Sequence, residues 1–155
     1  MKKYLLPFIV LISSPSFAQD DTASLIDFGD TEALTIISGE KTHSFDVEIA
    51  DDREKQRQGL MFRESLSPDA GMLFEYDTPE LVSIWMKNTE IPLDILFILK
   101  NGRIVKIEHG AQPQSLRSAS SEVAVAAVLE LPSGRAAELD ITPGDFVQHS
   151  FFETE

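Results

Sequence analysis

The sequence predicts a mainly β, β-rich α+β fold. It should be a compact, curled or barrel-like antiparallel sheet of about seven or eight strands, with one or two short helices. Three observations predict this. Apolar residues recur with a period of two in short runs separated by turns containing Gly, Pro or Asn. One run, Leu93 to Leu99, is apolar at almost every position, as a central strand covered on both faces requires. Helix-compatible patterns occupy only short stretches, near 51–58 and 133–139.

The elements follow in order. Leu34-Thr35-Ile36-Ile37 and Phe45-Asp46-Val47-Glu48-Ile49 read as strands joined by a turn at Gly39. Asp51, with Glu54 three residues on, resembles a capping box that opens a short helix. Gly59 stops that helix after Gln58. Gly71 to Tyr76 reads as a strand, as does Leu81 to Lys87. After the central strand at Leu93, Asn101-Gly102 signals a two-residue hairpin into Arg103 to Glu108. Gln112 to Glu122 is a polar, serine-rich loop, and Val123 to Leu131 is a buried strand ended by Pro132. Ser133 to Leu139 holds one or two helical turns. Thr142-Pro143-Gly144-Asp145 turns the chain into a last strand, Phe146 to His149. Strand order and oligomeric state cannot be read from the pattern.

The N-terminus carries an address rather than a fold. Lys2-Lys3, the apolar Leu5 to Ile12 and Ser16-Phe17-Ala18 form a signal peptide over residues 1–18, with cleavage expected before Gln19. The apolar stretch is far shorter than the roughly 18 residues of a spanning helix, and no stable membrane insertion is expected after cleavage; the alternative is an uncleaved anchor. Residues 19–31 read as a flexible acidic leader and 32–152 as a single β-rich domain. The expected location is the periplasm or the exterior. The chain has no cysteine, so the core must be stable without disulfides.

The 155 residues include 26 acidic and 13 basic side chains, a net charge of −13. Loss of Lys2 and Lys3 with the signal makes it more negative. Such a surface repels nucleic acid and anionic lipid. The chain contains no G-x-S-x-G, H-E-x-x-H or Walker A motif, no thiol nucleophile, and nothing that calls for a cofactor.

Against that acidity, two segments stand out: Arg57 to Arg63, and Trp85-Met86-Lys87-Asn88-Thr89-Glu90-Ile91-Pro92-Leu93-Asp94-Ile95. Arg57, Arg63 and Lys87 form a local positive patch suited to a carboxylate, phosphate or sulfate. They are equally suited to pairing with Asp94, Glu130 and surface acids. Trp85, beside Lys87, Asn88 and Thr89, could stack on a sugar or serve as a core anchor. By strand parity Asp94 shares a face with Leu96 and Ile98, and Glu130 with Val128 and Ala126. Two acids on apolar faces suit a general acid/base pair, or two structural salt bridges to Arg63 and Lys87. Met61, Met72 and Met86, with His43, His109 or His149, offer soft ligands for copper, though none has compact ligand spacing and core filling is the ordinary role of methionine.

Arg57-x-Gly59-Leu60-Met61-Phe62-Arg63, Gly71-Met72-Leu73-Phe74, Trp85-Met86-Lys87-Asn88-Thr89, Ile91-Pro92-Leu93-Asp94-Ile95, Val128-Leu129-Glu130-Leu131 and Gly144-Asp145-x-Val147 follow one another over roughly residues 33–150. In these motifs and their order the chain resembles the family called domain of unknown function 192. The resemblance implies a compact β-rich fold and often export or membrane anchoring, and brings no catalytic role. Two positions depart from the family pattern: Pro132-Ser133-Gly134 replaces Pro-Ala-Gly, and Ile84 stands where an aromatic is usual.

The reading that results is an exported binding or accessory domain for a small polar or anionic ligand or a glycan. Its candidate site is Arg57, Arg63, Trp85, Lys87, Asn88, Thr89, Asp94 and Glu130. The alternatives are a polysaccharide hydrolase or lyase using Asp94 and Glu130, and a copper carrier using the three methionines.

Overall fold

Alternating apolar residues from Glu32 onward build seven strands and two short helices in a computed structural model that describes residues 25–152. The expected signal peptide, residues 1–18, and the start of the expected leader lie outside the described residues. The strands are β1 (Glu32–Ser38), β2 (Lys41–Ala50), β3 (Ala70–Ile84), β4 (Leu93–Ile98), β5 (Ile104–Ala111), β6 (Ala119–Pro132) and β7 (Phe146–Gln148). Helix α1 (Arg53–Gln58) lies between β2 and β3, and α2 (Arg135–Glu138) follows β6.

All seven strands form one sheet in the order β5-β4-β6-β3-β2-β1-β7. Every pairing is antiparallel except β2 with β3, which run parallel across the α1 crossover. The sheet curls into a half-barrel. Its two ends meet where β7 reaches the β4–β5 hairpin: Val147 N donates to Gly102 O (2.8 Å) and Ile104 N to Asp145 O (2.9 Å).

Each face of the sheet carries its own core. The inner face buries Leu34, Ile36, Phe45, Val47, Leu96 and Leu129 together with the returning Val147 and Phe152. The outer face of β3, β4 and β6 buries Met72, Phe74, Ile95, Phe97 and Val128 beneath Leu60 and Met86 from two loops. β4 lies between the cores and is buried at all six positions, which is why its sequence does not alternate.

Gly71 fixes how closely β3 approaches β6. A Cβ there would lie 2.7 Å from the Glu130 carbonyl oxygen and 2.9 Å from Leu131 Cδ2. Both are closer than packed atoms allow, and the first obstacle is backbone. Gly71→Ala should therefore cost about 1–3 kcal/mol. Urea unfolding measures this; an unchanged midpoint would mean that the two strands separate freely.

The local expectations needed four corrections. Asp52, not Asp51, is the N-cap of α1: its Oδ1 accepts from Glu54 N and Lys55 N, both at 2.8 Å. Asp51 instead pairs with Lys55 one turn on, so no capping box forms. The expected strand Leu81 to Lys87 ends at Ile84, because Met86 N turns away to donate to Ser115 O (3.0 Å). The loop after β5 is shorter than the expected 112–122, since β6 already begins at Ala119. The hairpin at Asn101-Gly102 has a three-residue loop: Leu99 N bonds Arg103 O and Gly102 N bonds Leu99 O, and Gly102 alone is left-handed (φ 83).

The acidic leader, expected to be flexible to residue 31, contains a core residue. Phe28 is buried in the outer core, and Ile26 N donates to Gln58 Oε1 (3.0 Å).

Candidate functional site

The motif loops meet over the outer core. Gly59, at a positive φ of 49, ends α1 and sends Leu60 into the core, leaving Met61 and Phe62 at the surface. The loop after β3 lies beside it. Phe62 N donates to Asn88 O (2.9 Å), Asn88 N donates to Gln114 Oε1 (3.1 Å), and Gln114 N donates to Thr89 O (3.1 Å). Phe62, Asn88 and Gln114 all have positive φ, a conformation that costs non-glycine residues energy and persists only where neighbours enforce it. Three loops are thus locked together by strained residues around one groove.

The groove has two parts. A pit of about 160 Å³ is lined by Leu60, Met61, Phe74, Tyr76, Thr89 and Glu130 among others. A shallower shelf of about 380 Å³ lies alongside, formed by Phe62, Trp85, Lys87 and Asn88 with Ile26 of the leader. Arg57, Gln58, Met61 and Trp85 line both. Trp85 is 51% exposed and Phe62 43%, so two large aromatic side chains face solvent on one shelf. Lys87 Nζ sits 5.3 Å from the Trp85 ring centroid. Arg57, in the last turn of α1, has no ion-pair partner among the described residues.

Glu130 is the distinctive group. It is 4% exposed, and its carboxyl makes no hydrogen bond or ion pair among the described residues. It lines the pit from β6, opposite Met72 of β3. Burial away from water pushes its pKa up to about 8, so at neutral pH the floor of the pit is a carboxylic acid that can donate one hydrogen bond and accept others. The Tyr76 hydroxyl also lacks a partner among the described residues. Burial, with Glu130 and then Glu80 nearby, pushes the phenol upward, so it stays a neutral donor.

Six of the eight candidate residues therefore surround one groove: Arg57, Trp85, Lys87, Asn88, Thr89 and Glu130. The other two do not. Arg63 Nη2 bonds both Glu48 carboxylate oxygens (2.9 and 2.7 Å), with its guanidinium over Phe28. It ties the GLMFR loop and the leader to β2.

Asp94 is on the inner face, fully buried. Its Oδ1 accepts from Gly110 N (2.9 Å) and its Oδ2 from Ala136 N (3.0 Å). The expected salt bridges from Arg63 or Lys87 to Asp94 and Glu130 do not form.

The parity of both acids is as the sequence implies, and it separates them. Asp94 pairs with Leu131, while Glu130 pairs with Ile95, so the carboxyls project from opposite faces of the sheet. That overturns the proposed acid/base pair. Met72 and Met86 are fully packed in the outer core, while Met61 rims the groove, where Asn88 Nδ2 approaches its sulfur (4.0 Å). Among the described residues no group of three or more His, Asp or Glu side chains is arranged to hold a metal.

Tyr76, Phe74 and Phe62 also line the groove and were not among the candidate site residues. Tyr76 and Phe74 share parity with Met72, and only the β3–β6 register, with Met72 opposite Glu130, turns that face of β3 toward the pit; the paired residues lie far apart in the chain.

A curled, mainly β domain with a pit under its motif loops defines the class. The chain belongs to the DUF192 family, described as "Uncharacterized ACR", whose model matches residues 34–149. A Sinorhizobium meliloti 1021 protein, provisionally described as a transcription regulator, shares 38% identity and a TM-score of 0.77 over 80% of this chain and 96% of its own. A Novosphingobium aromaticivorans DSM 12444 protein of unknown function shares 36% identity and a TM-score of 0.75 over 77% and 85%. No curated protein matches.

Proposed function

We propose that this protein is an exported binding or accessory domain of the cell envelope. Its groove takes a small polar or anionic ligand or a glycan. The observation that carries the reading is the Glu130 carboxyl, without a partner among the described residues, in a pit lined also by exposed Trp85 and Arg57, with Lys87 on the adjoining shelf. The Glu130 oxygens are open to the pit, so a ligand seated there can hydrogen-bond them.

Trp85 is the only tryptophan, so its fluorescence reports the groove directly. A panel of neutral and acidic oligosaccharides, phosphate and citrate should include a member that shifts the emission saturably. Trp85→Ala should weaken that member at least tenfold in a calorimetric titration, with the thermal midpoint within a few degrees of wild type, as for other exposed positions. If no member perturbs Trp85 or the pit residues, the reading is wrong.

Export has its own test. The protein isolated from the envelope or medium should begin at Gln19; retention of Met1 on a cytoplasmic protein would refute export. The transcription-regulator description of the S. meliloti relative is not extended to this chain, because a net charge of −13 opposes the phosphate contacts that dominate DNA affinity.

A further inference from the structure

We propose that the pit receives the acetamido group of an N-acetylated sugar whose ring lies on Trp85. This rests on the binding reading above and names the ligand class it would take.

Size comes first. Sites that enclose a whole small molecule run to roughly 300–1,000 Å³. A pit of about 160 Å³ takes a substituent and leaves the ring outside. The shelf next to it presents the half-exposed indole of Trp85, a flat surface that suits the C–H face of a pyranose.

Chemistry then selects the substituent. The pit walls include Leu60, Met61 and Phe74, which suit a methyl group, together with polar groups that have no partner among the described residues, the Glu130 carboxyl and the Tyr76 hydroxyl among them. A trans amide points its N–H and C=O in opposite directions. It therefore needs two separate partners: a carboxyl oxygen to accept from N–H, and a hydroxyl to donate to C=O. Glu130 and Tyr76 supply that pair.

Charged substituents fit less well. A carboxylate would sit against the Glu130 carboxyl with Arg57 the one cation among the pit's lining residues, and an ammonium would meet Arg57 in the pit and Lys87 on the adjoining shelf. A simple hydroxyl would leave the apolar walls without a partner.

The test titrates the protein with triacetylchitotriose, with cellotriose (the same β-1,4 backbone without acetamido groups) and with N-methylacetamide, by calorimetry and chemical-shift mapping. Triacetylchitotriose should bind at least tenfold more tightly than either other probe and perturb Tyr76, Trp85 and Glu130 together. Tyr76→Phe, which removes one hydroxyl, should weaken it about fivefold or more. Glu130→Leu should abolish the preference over cellotriose while the protein stays folded.

Equal binding of the two trisaccharides, lost in Trp85→Ala, would overturn the acetamido assignment and leave the binding reading intact. N-methylacetamide binding as tightly as the trisaccharide would overturn the sugar. No binding by any of the three would also overturn this proposal, whereas the wider reading fails only if phosphate, citrate and acidic glycans are silent too.

Discussion

Asp94→Ala should lower the unfolding free energy by about 3–5 kcal/mol, because it strips the acceptor from two backbone N–H groups at once. One is Ala136 N, buried within the first turn of α2, whose N-cap Gly134 has no side chain to offer. The other is Gly110 N at the end of β5. Asp94 thus caps a helix about 40 residues further along the chain and holds the end of β5 to the same point. Each orphaned N–H costs about 1–3 kcal/mol, against a total stability of roughly 5–15 kcal/mol for a domain. A thermal midpoint lower by more than about 10 °C is expected. Asp94→Asn keeps one acceptor oxygen and should fall between. A midpoint for Asp94→Ala within two degrees of wild type would show that the carboxyl is dispensable, and with it the structural role assigned here.

Glu130 gives the second large effect, through pH. The folded protein holds a proton on this carboxyl up to about pH 8, whereas the unfolded chain releases it near the ordinary value of 4.5. Unfolding therefore releases a proton across that window. Stability falls as pH rises from about 4.5 to 8, by up to ~1.4 kcal/mol per pH unit, and levels off above. Glu75 adds a decline of the same sign up to about pH 7: burial raises its pKa first, with Glu32 and Asp51 adding repulsion. Glu130→Gln removes only the first contribution. Urea midpoints of wild type and Glu130→Gln should be close at pH 5 and diverge by pH 8, the variant then being the more stable. Parallel curves across that range would mean that Glu130 is ionised and solvated in the folded state. A ligand that hydrogen-bonds the protonated acid should in turn hold the wild-type curve up at higher pH.

Much of this was legible in the residues. The alternation in Phe45 to Ile49 and the unbroken apolar run from Leu93 mark half-buried and fully buried strands, and both are found. The two polar motif runs stood out because their cations, amide and lone tryptophan have no place in an ordinary core. Most of them do gather at one groove. What stayed hidden depends on pairing between distant strands. Asp94 and Glu130 each violate an apolar face, and parity predicted each face correctly; only the Asp94–Leu131 and Ile95–Glu130 pairs reveal that those faces look in opposite directions. Arg63 was indistinguishable from Arg57 until the fold brought Glu48 beside it. Asp51 and Asp52 are both able caps, and sequence alone could not choose between neighbours.

The closure of the sheet at Gly102 is local, and that has a consequence for self-association. β7 is only three residues long and meets the far end of the sheet just at Gly102–Ile104. β5 is otherwise the last strand on its side, so most of its outer edge has no strand partner among the described residues and is a template onto which another extended chain could add. Two irregularities in its pairing with β4, between Leu93 and Ile95 and between Phe97 and Ile98, interrupt the regular ladder there. Bulges of this kind bend and twist a strand away from flat, in-register stacking. The sheet is therefore left open along one side yet shaped against growth, which gives a cysteine-free chain protection from polymerising through its own edge.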